Sequence, residues 1–555
     1  MKLLRPLLPL LIGAGALEAQ TPTVLLFEGD PVPGIPGSSI TALQGVELNG
    51  IGGWMAGMLY EQGGAIQECG LASVDGQPPY SLLQEATHGN LEQTELALKS
   101  VDDLGRHLYT ATSFEVPNGS NAIYGLWRDD APLALRGEPA AGIPGQTYQV
   151  FHAFGQYAGD QVHFEAGYTT PPFGVFPAGQ ALFAGDPLQV LYKSGDQLPF
   201  VNGTLIQNAQ TTSAILSTHF SRQGTHHLVG VQVGNTTNPR SYAILDGTPV
   251  FADGVVVGEN ISLGPNLEIH PNEHWDGVDA RGVTESGSTL VWGLTNFRSV
   301  LLHDGFLAMF EDQVLGDWTL RSNNEGAAMN EGRDIVAQWN ATLAGSNDWI
   351  ETLFFNGRPL VQEGDRVDLD GDGVVDPGYE VREFWLNRAR IDDERRVYAL
   401  AVLREEPPGV NNNIQAQLFV DVPDLALDAN ELSVSAGGAS TMTLFAPRDV
   451  GAEFYFLLAS MSGTSPGLLL DGQVLPLNPD PLFQLALDQA NGSVFQQSFG
   501  PLDALHTAEA AFVLPAGVAG ALVGQTIDFA YLTLGTQPAL QVRSTSAPAS
   551  LLLTP

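Results

Sequence analysis

The chain has 555 residues, 62 acidic against 23 basic, for a formal net charge of −39. Such a field repels phosphate backbones and anionic membrane surfaces, which excludes nucleic acid as a partner. A single cysteine, Cys69, excludes an intramolecular disulfide, so stability must come from core burial, strand pairing and bound metal; Cys69 itself reads as a small buried apolar residue.

In chain order, residues 1–20 combine a basic start (Lys2, Arg5), an apolar stretch and a small-residue exit at Ala16 to Ala19, the layout of a secretory signal peptide. No later segment has the roughly 18 uninterrupted apolar residues of a membrane-spanning helix. The expectation is a secreted or cell-surface protein. Two phrases then recur through residues 21–423. In one, an apolar run reaches Asp/Asn-Gly or a close variant, turns and leaves as another apolar run: Asp75-Gly76, Asp129-Asp130, Asp246-Gly247, Asp304-Gly305 and Asn356-Gly357, with a degraded copy near Gly185-Asp186. The period is about 56 residues, within the range of propeller blades and β-arrays.

The second phrase is a polar turn feeding a strand. It reads Leu48-Asn49-Gly50-Ile51-Gly52, Val101-Asp102-Asp103-Leu104-Gly105, Phe220 to Gly224, Val283 to Gly287 and Met329 to Gly332, with weaker copies at 154–164 and 391–400. Two hairpins per repeat give about four strands, the content of a propeller blade. Residues 91–100 are the best helical candidate, a short connector. The strand at 23–27 has no preceding partner and the strand at 416–421 no successor, so the first is expected to complete the last unit. The fold class is therefore all-β, a seven-bladed β-propeller whose N-terminal strand closes the last blade. An open β-array is the alternative.

One copy carries an insertion, Asp368-Leu369-Asp370-Gly371-Asp372-Gly373-Val374-Val375-Asp376, where other copies have a short Pro/Gly turn. Carboxylates fall at positions 1, 3, 5 and 9, glycine at position 6, and Val374 at position 7 can offer its carbonyl. Hard oxygen ligands at this spacing suit Ca²⁺. The expected ligands are Asp368, Asp370, Asp372, Val374 and Asp376, in a structural role. Tyr379 at position 12 and Pro377-Gly378 depart from the helical calcium hand. After Pro423 the phrases stop, and short alternating runs over 424–555 predict a β-sandwich.

Two enzyme motifs match literally and are discounted. His270-Pro271-Asn272-Glu273-His274 satisfies H-x-x-E-H but lies among Pro and Asn that disfavour the required helix. Gly463-Thr464-Ser465-Pro466-Gly467 satisfies G-x-S-x-G, yet Pro466 has no N–H for an oxyanion. His226-His227 and tryptophans 54, 275, 292, 318, 339 and 349 read as strand and core residues, with an exposed subset open to sugar stacking.

The metal insertion resembles the Asp-x-Asp-x-Asp-Gly-x-x-Asp loops of integrin-type propellers. The repeated Glu-Gly-Asp-x-x-Pro-Gly and Asn-x-x-Gly phrases, from Thr21 to Val422, resemble exported bacterial tandem-repeat proteins of unknown function. The tail, with Ala459 to Gly467 and Leu475-Pro476-Leu477-Asn478, is similar to a C-terminal module of such proteins. Neither resemblance supplies a catalytic residue. The functional expectation is a calcium-stabilised binding or scaffold protein for an extracellular protein or glycan. The alternatives are a glycan lyase or hydrolase with acidic residues in the channel, and a structural surface-layer component.

Overall fold

The computed structural model describes the chain apart from residues 1–20, 49–52, 74–79, 85–86, 89–90, 103, 116–121, 130, 172–176, 199–204, 206–213, 236–237, 253–272, 386–388, 406–412, 449, 518–519 and 538. The expected leader, the Asp75-Gly76 turn, the Asn49 to Gly52 turn and His270 to Asn272 lie outside the described residues.

Strands dominate. Among the described residues, seven successive antiparallel sheets of four or five strands run from Thr23 to Asp421. Their leading strands are Ser38–Leu48, Leu91–Val101, Thr147–Ala158, Ile215–Phe220, Trp275–Val283, Trp318–Met329 and, in two pieces, Tyr379–Phe384 with Arg390–Ile391. Each leading strand touches the next, and Arg390–Ile391 returns to Ser38–Leu48. Thr23–Phe27 joins the seventh sheet, pairing antiparallel with Asn413–Asp421 in the register Thr23 to Phe419 and Phe27 to Ala416. An apolar core fills each gap between successive sheets, and one joins the seventh to the first: Tyr398 and Leu400 pack with Leu26, Ile40, Trp54 and Met58. Cys69 is in that last core, 2% exposed, and burial pushes its thiol up to about 12.

The helix expected over 91–100 is corrected. Leu91–Val101 is an eleven-residue strand paired with His107–Glu115. In Leu91-Glu92-Gln93-Thr94-Glu95-Leu96-Ala97-Leu98 the helix-forming composition competes with period-2 alternation at Thr94, Leu96 and Leu98. Pairing with the next strand outweighs intrinsic propensity, which is a weak prior.

Three turns repeat, and each explains its residues. In the turn between third and fourth strands, Asp129, Asp246, Asp304 and Asn356 have φ of 52°, 49°, 51° and 46°, and the glycines after the last three have φ near 80°. That is the two-residue hairpin geometry matching strand twist, for which Asp/Asn-Gly is the favoured pair. The side chain has a second task. Its oxygen accepts the backbone N–H that opens the second strand: His107 to Asp129 (3.0 Å), His227 to Asp246 (2.9 Å), Thr289 to Asp304 (2.7 Å) and Ile335 to Asn356 (2.8 Å).

In the turn between first and second strands, the leading polar residue accepts the N–H four residues on. Asp102 accepts from Arg106, Asn330 from Asp334 and Asp392 from Arg396, each at 2.8 Å. Thr284 does the same for Ser288, and Ser221 accepts from His226, five residues on. The fourth residue needs positive φ, and Gly105, Gly224 and Gly287 supply it; Arg333 and Arg395 take that conformation in the sixth and seventh sheets.

The link between sheets explains the Glu-Gly-Asp phrase. Leu135, Lys193, Phe310 and Gln362 each donate N–H to the side chain three residues later, Glu138, Asp196, Gln313 and Asp365. Burial raises the Asp365 carboxyl to about 6 against the opposing Gln362 N–H. An acid whose folded pKa is raised above its unfolded value costs stability once ionised, so this cost is absent below about pH 3, grows between the two pKa values and is complete above pH 6. Asp365→Asn should therefore gain about 3 kcal/mol over the unmodified chain at pH 7 and nothing at pH 3. Urea melts at both pH values check this; parallel pH profiles would contradict it.

Beyond Val422 lie a four-stranded sheet, a six-stranded sheet and a two-stranded ribbon. The two larger sheets share one core, with Met442, Leu444 and Phe512 from one against Leu457, Phe529 and Leu551 from the other. The helix Pro481–Asp488 was not foreseen, although Asp480-Pro481 is an N-cap and first-turn pair; the Asp480 side chain accepts Phe483 N–H. This region rests on the turn ends of the fifth, sixth and seventh sheets: Phe445 packs edge-on against Phe355, and Leu505 joins the core of Trp318 and Trp339.

Candidate functional site

A cavity of 530 Å³ opens where the leading strands of all seven sheets end. Among the described residues its rim consists of the polar turns of the second to seventh sheets, each bonded to a neighbour. Arg106 of the second sheet donates to Asp160 of the third (2.9 Å), and Gly159 N–H to the Arg222 carbonyl of the fourth (2.7 Å). Gln223 N–H then donates to Glu285 of the fifth, Glu285 N–H to Glu331 of the sixth (2.7 Å), and Glu331 N–H to Asp393 of the seventh (2.9 Å). Arg390 of the seventh sheet closes on Glu47 of the first (3.3 Å). The Arg222 guanidinium also crosses to Asp393 at 3.0 Å, bridging the fourth and seventh sheets. Burial holds the carboxyls of Glu331 and Asp393 above the usual range, against the hydrogen bonds each accepts.

Two or three residues before these turns stand Lys99, His219, Arg281 and Arg390, all lining the cavity. Burial first, then the neighbouring Arg281 and Arg390, push the His219 imidazole down to about 3, so it is neutral at physiological pH.

The acidic insertion sits in the link between the sixth and seventh sheets, beside the strand Thr23–Phe27. Val24 N–H donates to the Asp368 carbonyl (2.8 Å) and Asp368 N–H to the Pro22 carbonyl (3.0 Å). Asp368 is fully buried, its two oxygens accepting Gly371 N–H (2.7 Å) and Gly373 N–H (2.8 Å). Burial acts to raise its pKa, and the backbone N–H groups of Gly373, Gly371, Asp370 and Asp372 outweigh it, holding the carboxylate below the usual range. Asp368, Asp370 and Asp376 bring carboxylate oxygens within 4.8 Å of one another, a hard-oxygen set suited to a divalent cation. Asp372 stands outside that group, accepting Val374 N–H (2.8 Å), and the Val374 side chain is 62% exposed. Glu380 is held by Arg404.

The discounted motifs have structural occupations. Glu273 is fully buried, gripped by Arg298 (2.9 Å) and Thr295 (3.0 Å), and His274 meets Asp276 at 3.0 Å. Ser465 lies in a turn pinned by Asn478, whose amide donates to the Ser462 and Ser465 carbonyls and whose oxygen accepts Gly467 N–H. His226 pairs with Asp246 (2.6 Å). Trp275 and Trp339 are fully buried, Trp54 and Trp318 nearly so, while Trp349 is 60% exposed. The basic side chains of the cavity were not foreseen, because they come from different repeats and share no local spacing.

No protein-family model matches the chain, and no curated protein matches it. Among solved structures it is similar to a puromycin-hydrolyzing peptidase of Mycobacterium tuberculosis, 11% identical over 76% of this chain and 62% of that one, with a TM-score of 0.32. It is also similar to prolyl oligopeptidase B of Galerina marginata, 10% identical over 78% of this chain and 59% of that one, at 0.32. A third is the Dos1 propeller, 9% identical over 73% of this chain and 93% of that one, at 0.28. The chain thus spans under two thirds of either peptidase. The chain is mostly β with propeller-like neighbours, and scores of this size carry nothing about activity. No helix among the described residues is long and apolar enough to cross a membrane.

Proposed function

We propose that residues 21–423 form a closed seven-bladed propeller and 424–555 a β-sandwich, in a secreted, calcium-stabilised protein that binds a protein or glycan outside the cell. The observation carrying the binding role is the cavity lined from every sheet, with a rim of polar turns. Loops held on a rigid scaffold around a central channel suit recognition. Support for closure comes from the pairing of Thr23–Phe27 with Asn413–Asp421 and the apolar core between the seventh sheet and the first.

Calcium would be held by Asp368, Asp370 and Asp376, with Asp372 and the Val374 carbonyl as further candidates. Ca²⁺ would neutralise carboxylates crowded within 4.8 Å and stiffen the loop to which the closing strand is stitched. Its role is structural, since every ligand is local to one loop.

A glycan and protein-partner binding screen, run in calcium and in chelator, tests the function; no hit in either condition with a cooperatively melting chain would remove the binding reading. For the metal itself, calcium at about 100 times its Kd should add about 3 kcal/mol of stability. Asp370→Ala should abolish that gain while leaving the melt in chelator nearly unchanged, because among the described residues the exposed Asp370 side chain accepts only the Asp372 N–H. Equal melting temperatures in calcium and chelator for the unmodified chain would dismiss the metal.

A further inference from the structure

We propose that the joint between the C-terminal region and the fifth and sixth sheets is an acid-sensitive latch, in which protonation of His303, seated against Arg448, releases that region from the turns beside the cavity mouth.

Both sides of the joint build the seat. His303 ends the third strand of the fifth sheet and is 8% exposed, and Arg448, just beyond the strand Gly438–Phe445, is 7% exposed. The Arg448 guanidinium donates to three neutral acceptors: the Arg333 carbonyl of the sixth sheet (2.8 Å), the Ala504 carbonyl (3.3 Å) and His303 Nδ1 (3.1 Å). A guanidinium has only donors to offer, so Nδ1 must keep its lone pair and the imidazole must be neutral. A proton on Nδ1 would set two donors and two positive charges face to face.

The surroundings do not absorb that charge. Asp304 approaches His303 Nε2 at 3.6 Å, but its oxygens already accept Thr289 N–H (2.7 Å) and the Ser288 hydroxyl (2.9 Å). Arg333 faces the same imidazole with a second positive charge, and His506, beside Arg448, donates from Nδ1 to the Pro447 carbonyl (3.4 Å). Asp503, near His506, accepts the N–H groups of Leu505 and Thr507, and Asp334 is taken up by Arg395 and Asn356. Burial first and Arg448 second push the His303 imidazole down to about 4, and the same two causes lower His506, against Asp304 and Asp503 respectively.

Freed from the joint, His303 returns to its ordinary value of 6.5. A base whose pKa is lower docked than released weakens docking as pH falls from about 6.5 to about 4. His303 alone therefore raises the ratio of released to docked chain about twentyfold between pH 7 and pH 5. The region can leave whole, because its two larger sheets share a core of their own. Its departure uncovers Arg333 and Arg395, which stand in the same turns as Glu331 and Asp393 of the cavity lining.

Small-angle X-ray scattering of the full chain at pH 7 and pH 5 reads the latch. The largest dimension should grow reversibly at pH 5 while the strand signal in circular dichroism stays unchanged. His303→Gln, whose amide oxygen accepts from Arg448 but takes no proton, should stay compact at both pH values. Equal dimensions of the unmodified chain at pH 7 and pH 5, equal expansion in the folded His303→Gln variant, or loss of the strand signal at pH 5 would each overturn the latch. Should His303→Gln fail to fold, imidazole NMR of the unmodified chain decides. His303 should be neutral in the compact form and take its proton together with the expansion, and a protonated His303 in a chain of unchanged dimensions would sink the proposal.

Discussion

Removal of residues 21–27 should cost the chain its cooperative melt and drive it to aggregate. Those residues hold Leu26, 4% exposed in the core between the seventh and first sheets, and Val24 and Phe27, packed against the core between the sixth and seventh. Losing Leu26 alone, as Leu26→Ala, should cost about 2–4 kcal/mol. Losing the whole strand leaves Asn413–Asp421 as an uncovered edge, a row of unpaired N–H and C=O groups ready to pair with another chain. It also strips Asp368 of its backbone bonds to Pro22 and Val24. Thermal melting with light scattering checks this. A truncated chain that stays monomeric and melts at the same temperature as the full one would contradict it.

Arg395→Met should be the most damaging single substitution at the junction with the C-terminal region. The Arg395 side chain reaches Asp334 (2.8 Å), Asp424 (2.7 Å) and the Phe445 carbonyl (2.8 Å), and Arg395 is 8% exposed. Asp334 is more deeply buried, at 2%, and bonded also to Asn356 (2.8 Å). Removing one member of a buried pair leaves the other uncompensated and costs about 3–5 kcal/mol. Removing both charges, as Arg395→Met with Asp334→Asn, should recover most of that loss, because neither is then buried alone. Urea denaturation of the two variants reads the difference. Equal destabilisation of single and double variants would mean that the guanidinium acts through packing and not through its charge.

The sequence disclosed the parts of the fold that are local. Asp/Asn-Gly announced the third turn because only a few residues tolerate positive φ at both central positions, and the same carboxylate or amide then fastens the second strand. Glu-Gly-Asp announced the link between sheets for a similar reason. Leu91–Val101 was misread because its composition favours helix, and its strand partner, sixteen residues on from Leu91 at His107, decides the matter. Contacts between repeats left no pattern at all. Arg222 and Asp393 lie 171 residues apart, and no spacing announces that they meet.

The positions where the repeat fails are instructive. Gly105, Gly224 and Gly287 supply positive φ in the polar turn, whereas the sixth and seventh sheets place Arg333 and Arg395 there. A side chain in that conformation costs about 1–2 kcal/mol. Both arginines stand where the C-terminal region rests: the Arg333 carbonyl accepts from Arg448 (2.8 Å), and Arg395 anchors on Asp424 and Phe445. Local strain is exchanged for contacts between regions, which reads as degeneracy in the sequence alone. The acidic insertion was legible because its oxygens are near neighbours in the chain, and its tie to Pro22 and Val24 was not, because those residues lie about 345 positions away in the chain and arrive with the strand that pairs with Asn413–Asp421.

The central claim is that the first strand zips onto the last sheet. With Cys69→Ala as background, Thr23→Cys and Phe419→Cys place two thiols on paired positions of neighbouring strands, within the reach of a disulfide. Oxidation followed by peptide mass mapping should recover the 23–419 link as an intramolecular product, with a raised melting temperature in the oxidised form. Two free thiols after oxidation, or links only between separate chains, would contradict the account.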